Sequence, residues 1–275
     1  MAPLRILSFI LLLIATSAQT PIYMYNFCQN STAENSPSTS YQTNVKNVLS
    51  WVTADSATSK GYNRTTIGGG GNMNNNNGTD DAVYGFYDCR GDIIGYLCQF
   101  CLTTAANEIA QRCPNSVTAV IWYDGCIIRY SNQSFYGKVD LSGIWNMTGS
   151  KSINDSTEIK KVEDSVENLI RKATMETNKS WAMDEYDWDY NEKRYGLAQC
   201  SRDLANDQCR QCLQGLLDVF PQCCGTKVAW AVISPSCGIR FDDYMFYQST
   251  NQTGSSPMPN PGNIANSCLV WIPLY

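Results

Sequence analysis

The residues best suited to chemistry in this sequence are its thirteen cysteines, most of which fall into two copies of one pattern. The spacing C-x8-C-x2-C-x11-C-x12-C occurs once and returns 111 residues later, at Cys89, Cys98, Cys101, Cys113 and Cys126 and at Cys200, Cys209, Cys212, Cys224 and Cys237. The pairs Tyr84-Gly85, Ile128-Arg129 and Phe135-Tyr136 recur at the same offset. This register indicates a tandem duplication of one cysteine-built module.

Cysteines can bind metal, act as nucleophiles or form disulfides, and the rest of the sequence favours disulfides. There is no histidine, so the commonest zinc ligand and the usual base that activates a nucleophile are both missing. An all-cysteine zinc site is the metal alternative. Residues 1–18 combine Arg5, an apolar run and small residues up to Ala18, which is typical of a secretory signal peptide. Exported proteins meet an oxidising environment.

The spacing of the cysteines predicts how they pair. Cys98 and Cys101 share one face of a helix, so one takes a near partner and the other a distant one. We expect the bridges Cys28–Cys113, Cys89–Cys98 and Cys101–Cys126 in the first copy, and Cys200–Cys209 and Cys212–Cys237 in the second. The second copy has no counterpart of Cys28, so Cys268 is expected to bridge to Cys224 or Cys223. One thiol is then left over, and a buried inert thiol is favoured over a reactive one.

Hydrophobic periodicity predicts the elements that hold these cysteines. Apolar residues recur at helical spacing over 45–52 and 162–170, and again over 97–109 and about 208–219, where Pro221 is expected to end the helix. Strand-like stretches cover 117–123, 127–130, 228–234 and 239–241. The sequence therefore predicts an α+β fold with two helices packed on an antiparallel sheet in each copy. The insert Gly68–Gly78 is expected to be a surface loop, because it lacks the lysine and context of a phosphate-binding loop.

Charge and glycosylation sequons describe the surface. The net charge of −5 excludes nucleic acid and anionic membranes as expected partners, since both need a basic footprint. No apolar stretch reaches the ~20 residues of a membrane span. Eight sequons are candidate glycosylation sites on faces expected to be exposed: Asn30, Asn63, Asn77, Asn132, Asn146, Asn154, Asn178 and Asn251.

An acidic and aromatic segment lies before the second cysteine cluster. It contains Asp184, Glu185, Asp187, Asp189 and Glu192 beside Trp181, Tyr186, Trp188 and Tyr190. A sugar site with Trp188 as a stacking platform is one interpretation, and an alternating strand with a solvated face is the favoured one. Calcium is disfavoured because the EF-hand spacing is absent. A glycosidase would need two carboxylates across a cleft, which nothing else in the sequence indicates.

The cysteine cores CRGDIIGYLCQFC and CSRDLANDQCRQC, with the later SPSCGIRFDDYMFY, resemble the plant ginkbilobin-2-homologous (stress-antifungal) domain. With two copies, the sequence is similar to cysteine-rich repeat secretory proteins. The chain length and the duplication predict two domains, 20–138 and 139–275. The resemblance implies that each has two helices on a five-stranded antiparallel sheet. It also implies bridges from the first to the fifth, second to the third and fourth to the sixth cysteine, in agreement with the pairs above.

The resemblance further implies positions for a mannose site. They fall on Gln29, Val120 and Ser131 in the first copy, and on Ala231 and Asp242 in the second. Gln29, Ser131, Asp242 and Trp188 are therefore the candidate ligand-binding residues. Val120 and Ala231 stand where the family has arginine, and apolar side chains serve a polar sugar site poorly.

Together these features predict a protein of the apoplast that binds a ligand, without catalysis or a cofactor. The first hypothesis is a lectin-like protein of plant defence that recognises a cell-wall or fungal glycan. The alternative is an interaction module, independent of carbohydrate, that associates with a receptor-kinase ectodomain or with itself. The loss of the arginines at the sugar positions favours the alternative.

Overall fold

The structure is a computed structural model that describes residues 20–30, 37–69, 81–176, 179–189, 191–248 and 270–271. The signal peptide, most of the Gly/Asn insert and Cys268 lie outside these residues. The architecture is α+β, as predicted, with two helices packed against an antiparallel sheet in each copy. In the described part of the chain, no helix is long and apolar enough to cross a membrane.

The first copy contains five strands and two helices. They are β1 (Tyr23–Asn30), α1 (Thr39–Asp55), β2 (Tyr62–Ile67), β3 (Val83–Cys89), α2 (Tyr96–Arg112), β4 (Ser116–Tyr123) and β5 (Cys126–Ser131). The strand order is β1-β4-β5-β3-β2, and every pair is antiparallel. Edge strands β1 and β2 therefore come from the N-terminal part of the copy, before and after α1.

The second copy repeats this arrangement and adds a short strand. Its elements are β6 (Trp145–Thr148), α3 (Ser156–Arg171), β7 (Trp181–Asp189), β8 (Glu192–Cys200), α4 (Asn206–Cys223), β9 (Trp230–Ile233), β10 (Cys237–Asp242) and β11 (Val270–Trp271). The order is β11-β6-β9-β10-β8-β7, so the tail adds a sixth strand to the five that were predicted. The prediction that Pro221 ends α4 is wrong, since the helix continues to Cys223.

The cysteines fix each helix to its sheet. The structure joins Cys28–Cys113, Cys89–Cys98 and Cys101–Cys126 in the first copy, and Cys200–Cys209 and Cys212–Cys237 in the second. Cys223 is bonded to its neighbour Cys224, which corrects the expected bridge from either residue to Cys268. Thr148, paired with Trp230, stands where Cys28 pairs with Ala119 in the first copy, so Cys224 lacks the strand partner that Cys113 has.

The repeated Tyr-Gly pair marks where a helix crosses its sheet closely. A Cβ on Gly85 would collide with Val48 of α1, and a Cβ on Gly196 would come within 3.1 Å of Leu169 of α3. Glycine at these positions lets the helix approach the backbone of β3 or β8. This close approach explains why the pair appears in both copies.

The two copies meet across an interface with approximate twofold symmetry. The Gly91 amide donates to Gln199 Oε1 at 2.8 Å, and the equivalent Arg202 amide donates to Asp88 Oδ2, the counterpart of Gln199, at 3.0 Å. These reciprocal bonds connect the ends of β3 and β8. The interface thus reuses one set of positions from each copy, as an isologous dimer does.

A second reciprocal pair and an apolar cluster complete this interface. The Gly137 amide donates to Asp203 Oδ2 at 2.8 Å, and the equivalent Gln248 amide donates to Asp92 Oδ2 at 2.7 Å. The two copies also share a buried cluster of apolar side chains, Val120, Trp122 and Ile233, flanked by Met24, Tyr25, Ile127 and Trp145. The interface therefore covers part of the outer face of the first sheet.

Candidate ligand-binding site

In the first copy, the family's sugar-contact positions lie on the sheet face that points away from the helices. Gln29 pairs with Thr118, and Thr118 pairs with Ser131 on the next strand. Gln29 is exposed, but Ser131 is buried and its hydroxyl lies 2.8 Å from that of Thr118. Val120 is 1% exposed, in the cluster that contains Ile233 of the second copy. The covered face leaves Gln29 as the accessible member of the set.

In the second copy, the corresponding positions are covered as well. Ala231 is buried and faces Arg240 across β9 and β10. Asp242 is also buried and accepts a hydrogen bond from Arg240 Nη2 at 2.9 Å. Burial outweighs the Arg240 guanidinium and raises the pKa of Asp242 to about 6. The Arg240 guanidinium lies 4.0 Å from the centre of the Phe246 ring, so this charged pair is already bound within the domain.

A cavity between the two copies is too small for an ordinary organic ligand. Its volume is about 120 Å³, and its polar lining includes Arg90, Asp124, Gln199 and Arg240. Pockets that enclose organic ligands typically measure about 300–1,000 Å³. Among the residues that the structure describes, no group of three or more His, Cys, Asp or Glu could hold a metal ion.

Most of the acidic and aromatic segment forms strand β7 (Trp181–Asp189) with alternating burial, as in the favoured interpretation, and Glu192 begins β8. Trp188 is half-buried against Phe241, and its Nε1 donates to Glu158 Oε1 at 2.7 Å. Lys161 Nζ lies 4.4 Å from the centre of the Trp188 ring. The indole is thus occupied by side chains of its own domain. Glu185, Asp187 and Asp189 are exposed, whereas Asp184 lies on the half-buried face and pairs with Lys172.

The candidate glycosylation sites differ in exposure. Asn63 and Asn154 are exposed, and Asn132 is half-buried. Asn146 is 3% exposed within strand β6, where it pairs with Val232, so the expectation of exposure is wrong at this position. The other sequons fall outside the described residues or, at Asn30, on a side chain outside them.

An exposed apolar surface at the start of α2 was not among the candidates drawn from the sequence. It consists of Ile94, Tyr96 and Phe100, which we call the α2 platform. Ile94 is 71% and Tyr96 69% exposed, and Phe100 is half-buried. The rings of Tyr96 and Phe100 are parallel within 2°, with their centres 6.0 Å apart.

The sequence did contain a signal for this surface, in the comparison of the two copies. The residues 111 positions after the α2 platform are Ala205, Asp207 and Gln211. Helix α4 begins correctly with these residues. The fold therefore does not require large apolar side chains at the start of this helix, and their presence in the first copy needs another explanation.

Sequence comparisons identify the family of this chain. A family model described as salt stress response/antifungal matches residues 27–133 and 147–244. The antimicrobial ginkbilobin-2-like protein of Castanea crenata is 33% identical over 87% of this chain and 95% of its own length. Cysteine-rich repeat secretory protein 38 of Arabidopsis thaliana is 32% identical over 86% of this chain and 90% of its own length. Cysteine-rich receptor-like protein kinase 25 of Arabidopsis thaliana is 32% identical over 92% of this chain, which spans 36% of that kinase.

Solved structures share the whole architecture. The tandem DUF26 ectodomain of the Arabidopsis thaliana cysteine-rich receptor-like protein PDLP8 gives a TM-score of 0.68 at 26% identity, covering 81% of this chain and 98% of that one. The corresponding PDLP5 ectodomain gives 0.63 at 29% identity, with coverages of 80% and 99%. With the duplicated cysteine pattern, these matches show that the chain belongs to the salt stress response/antifungal (DUF26) family, with two copies of its domain in tandem.

Proposed function

We propose that this chain is a secreted binding protein of the plant stress and antifungal response, and that its ligand is a cell-wall or fungal glycan. The signal-peptide pattern of residues 1–18 supports its export to the apoplast. Its similarity to an antimicrobial relative over 95% of that relative's length supports a role in defence. It acts by binding and not by catalysis.

The observation that carries this proposal is the covering of the family's sugar positions. Val120 and Ala231 are buried, and Asp242 is hydrogen-bonded to Arg240. A ligand that reached Val120 or Ala231 would have to separate the two copies, and one that reached Asp242 would have to displace Arg240. The glycan is therefore bound on an open surface, and free mannose at the family positions is not the ligand.

A second candidate is association with a receptor ectodomain of the same family. The close match to two receptor-like ectodomains over nearly their full length favours it. Such an association would use an exposed surface of one tandem unit against another. It requires no sugar, and it therefore survives if every glycan fails to bind.

A glycan array probed with the oxidised, full-length secreted protein tests the proposal. We expect binding to at least one plant or fungal wall polysaccharide and none to mannose. The same preparation is passed over immobilised tandem ectodomains. Absence of binding to every glycan, together with binding to an ectodomain, would replace the first function by the second.

A further inference from the structure

We propose that the α2 platform is a binding site for a neutral wall polysaccharide, one of whose pyranose rings stacks on the exposed ring of Tyr96. This inference rests on the proposed function and assigns it a site and a ligand class. Tyr96 is exposed at the first turn of α2, and the half-buried Phe100 ring is stacked parallel to it one turn further along the helix. The C–H groups on the flat face of a pyranose ring carry partial positive charge, which the negative face of an aromatic ring attracts.

The face of α2 that continues from the platform is uncharged and can form hydrogen bonds. No charged residue occurs from Ile93 to Asn107, and the Asp92 side chain is turned inward to Arg90. The face that begins with Tyr96 and Phe100 continues at helical spacing to Thr103 and Asn107. Hydroxyl and amide groups match sugar hydroxyls as donors and acceptors. A charged ligand would find no counter-ion along this face, which favours an uncharged polymer.

The platform is held rigidly before any ligand arrives. Cys98 and Cys101 alternate with Tyr96 and Phe100 on the helix, and their bridges fix α2 to β3 and β5. Ile93 is buried beneath the turn, next to the solvent-exposed Ile94. Groups that are fixed in advance lose less entropy on binding, so a small contact area can still produce measurable affinity.

The size of the platform separates a polysaccharide from a folded protein partner. A large aromatic side chain buries about 150–250 Å², so three side chains cover less than the ~800 Å² that each partner buries in a standard protein interface. An apolar small molecule is also disfavoured, because such ligands need a concave pocket that buries most of their surface. A polysaccharide keeps its hydroxyls in water and repeats the contact along its length.

Residues of the second copy supply the test substitutions. The double variant Tyr96→Asp/Phe100→Gln places in α2 the residues that α4 has at the equivalent positions, Asp207 and Gln211. Met175→Gln is the matched control, since Met175 is 65% exposed and lies at the end of the helical segment after α3. Binding of the oxidised full chain to insoluble chitin and β-glucan is measured by depletion, and the melting temperature of each variant is recorded.

We expect the double variant to lose at least about tenfold in affinity for the polymer that the wild type binds, while its melting temperature stays well above the temperature of the binding assay. Met175→Gln should bind as the wild type does. If the double variant retains full affinity, the platform is not the site, although the proposed function stands. If the wild type binds no polymer, the proposed function itself fails. Loss of ectodomain binding with polymer binding intact would assign the platform to a protein partner and overturn the proposal.

Discussion

At the scale of single residues, a deeply buried carboxyl group lies at the interface between the copies. Asp88 is 1% exposed, and Arg202 Nε lies 2.9 Å from its Oδ1. Neither of these atoms has a hydrogen bond of good geometry, although Asp88 Oδ2 accepts one from the Arg202 amide. Burial therefore outweighs the guanidinium, and the pKa of Asp88 is raised from 3.8 to about 7. The nearby Asp203 carboxylate adds to this rise.

This shift predicts that the protein is more stable in mild acid than at neutral pH. The unfolded chain releases the Asp88 proton near its ordinary pKa, whereas the folded protein holds it until about pH 7. The stability that this group contributes is thus present below the unfolded pKa and is lost as the pH rises through 7. The slope is at most about 1.4 kcal/mol per pH unit. Urea unfolding at pH 5 and pH 7.5 measures the difference in the free energy of unfolding between the two conditions.

Asp88→Asn should flatten this pH dependence, because asparagine does not titrate. The variant should keep part of the pH dependence of stability, because the pKa of Asp242 is also raised. Asp164→Asn, on the solvent side of α3, serves as the control and should leave the slope unchanged. A wild-type protein that gained stability from pH 5 to pH 7.5 would contradict the prediction.

Glycan occupancy is a second prediction at this scale. Asn63 and Asn154 are exposed, whereas Asn146 lies buried in strand β6. A glycan on Asn146 could not be accommodated in the sheet, so folded secreted protein should carry none there. Peptide mass spectrometry after expression in a plant host should find glycans on Asn63 and Asn154. A glycan attached to Asn146 in folded protein would contradict the prediction.

At the scale of elements, the close contact between α1 and β3 depends on one missing side chain. A methyl group on Gly85 would collide with Val48, whereas the equivalent methyl on Gly196 would touch Leu169 more lightly. We expect Gly85→Ala to lower the free energy of unfolding by about 1–3 kcal/mol, and Gly196→Ala by less. Denaturant unfolding of both variants checks the order. Because the penalty comes from contact with Val48, adding Gly85→Ala to a Val48→Ala protein should lower the free energy of unfolding by less than adding it to the wild type. Equal losses in the two backgrounds would contradict this explanation.

The elements themselves were largely predictable because their signals are local. Four helices follow from apolar spacing, and the paired central strands follow from the runs around Val120 and Val232. Strand β11 was not predictable, since two residues carry no periodicity. Pro221 was misread because the fixed φ of proline is itself helical, so the loss of one N–H hydrogen bond does not end α4, which continues two residues further to Cys223. The bond between Cys223 and Cys224 was missed because the pairing was argued from the first copy, which has one cysteine at this point.

At the scale of the whole molecule, the interface decides which surfaces are available. Trp122 is buried against the second copy, and its Nε1 donates to the Ser234 carbonyl at 3.3 Å. Trp122→Ala should lower the free energy of unfolding by about 3–5 kcal/mol.

Because the interface is shared, the wild-type protein with its disulfides intact should unfold in a single transition. Two separated transitions in a chemical unfolding curve followed by hydrogen exchange in both copies would contradict this coupling.

The candidate site could be predicted only in part, for a reason that also belongs to this scale. The sequence located the family's sugar positions, but each copy by itself does not reveal that its outer sheet face meets the other copy. Burial of Val120 and Ala231 therefore became evident in three dimensions. The α2 platform did have a sequence signal, because Tyr96 and Phe100 differ from Asp207 and Gln211 at equivalent positions.

The central claim is that the chain binds a glycan on an open surface and not at the family's mannose positions. Isothermal titration of the oxidised full chain with mannose and with soluble β-linked oligosaccharides of chitin and glucan tests it most directly. We predict binding of at least one oligosaccharide and no binding of mannose. Gln29→Ala should leave that binding unchanged. Mannose binding that is abolished by Gln29→Ala would contradict the account.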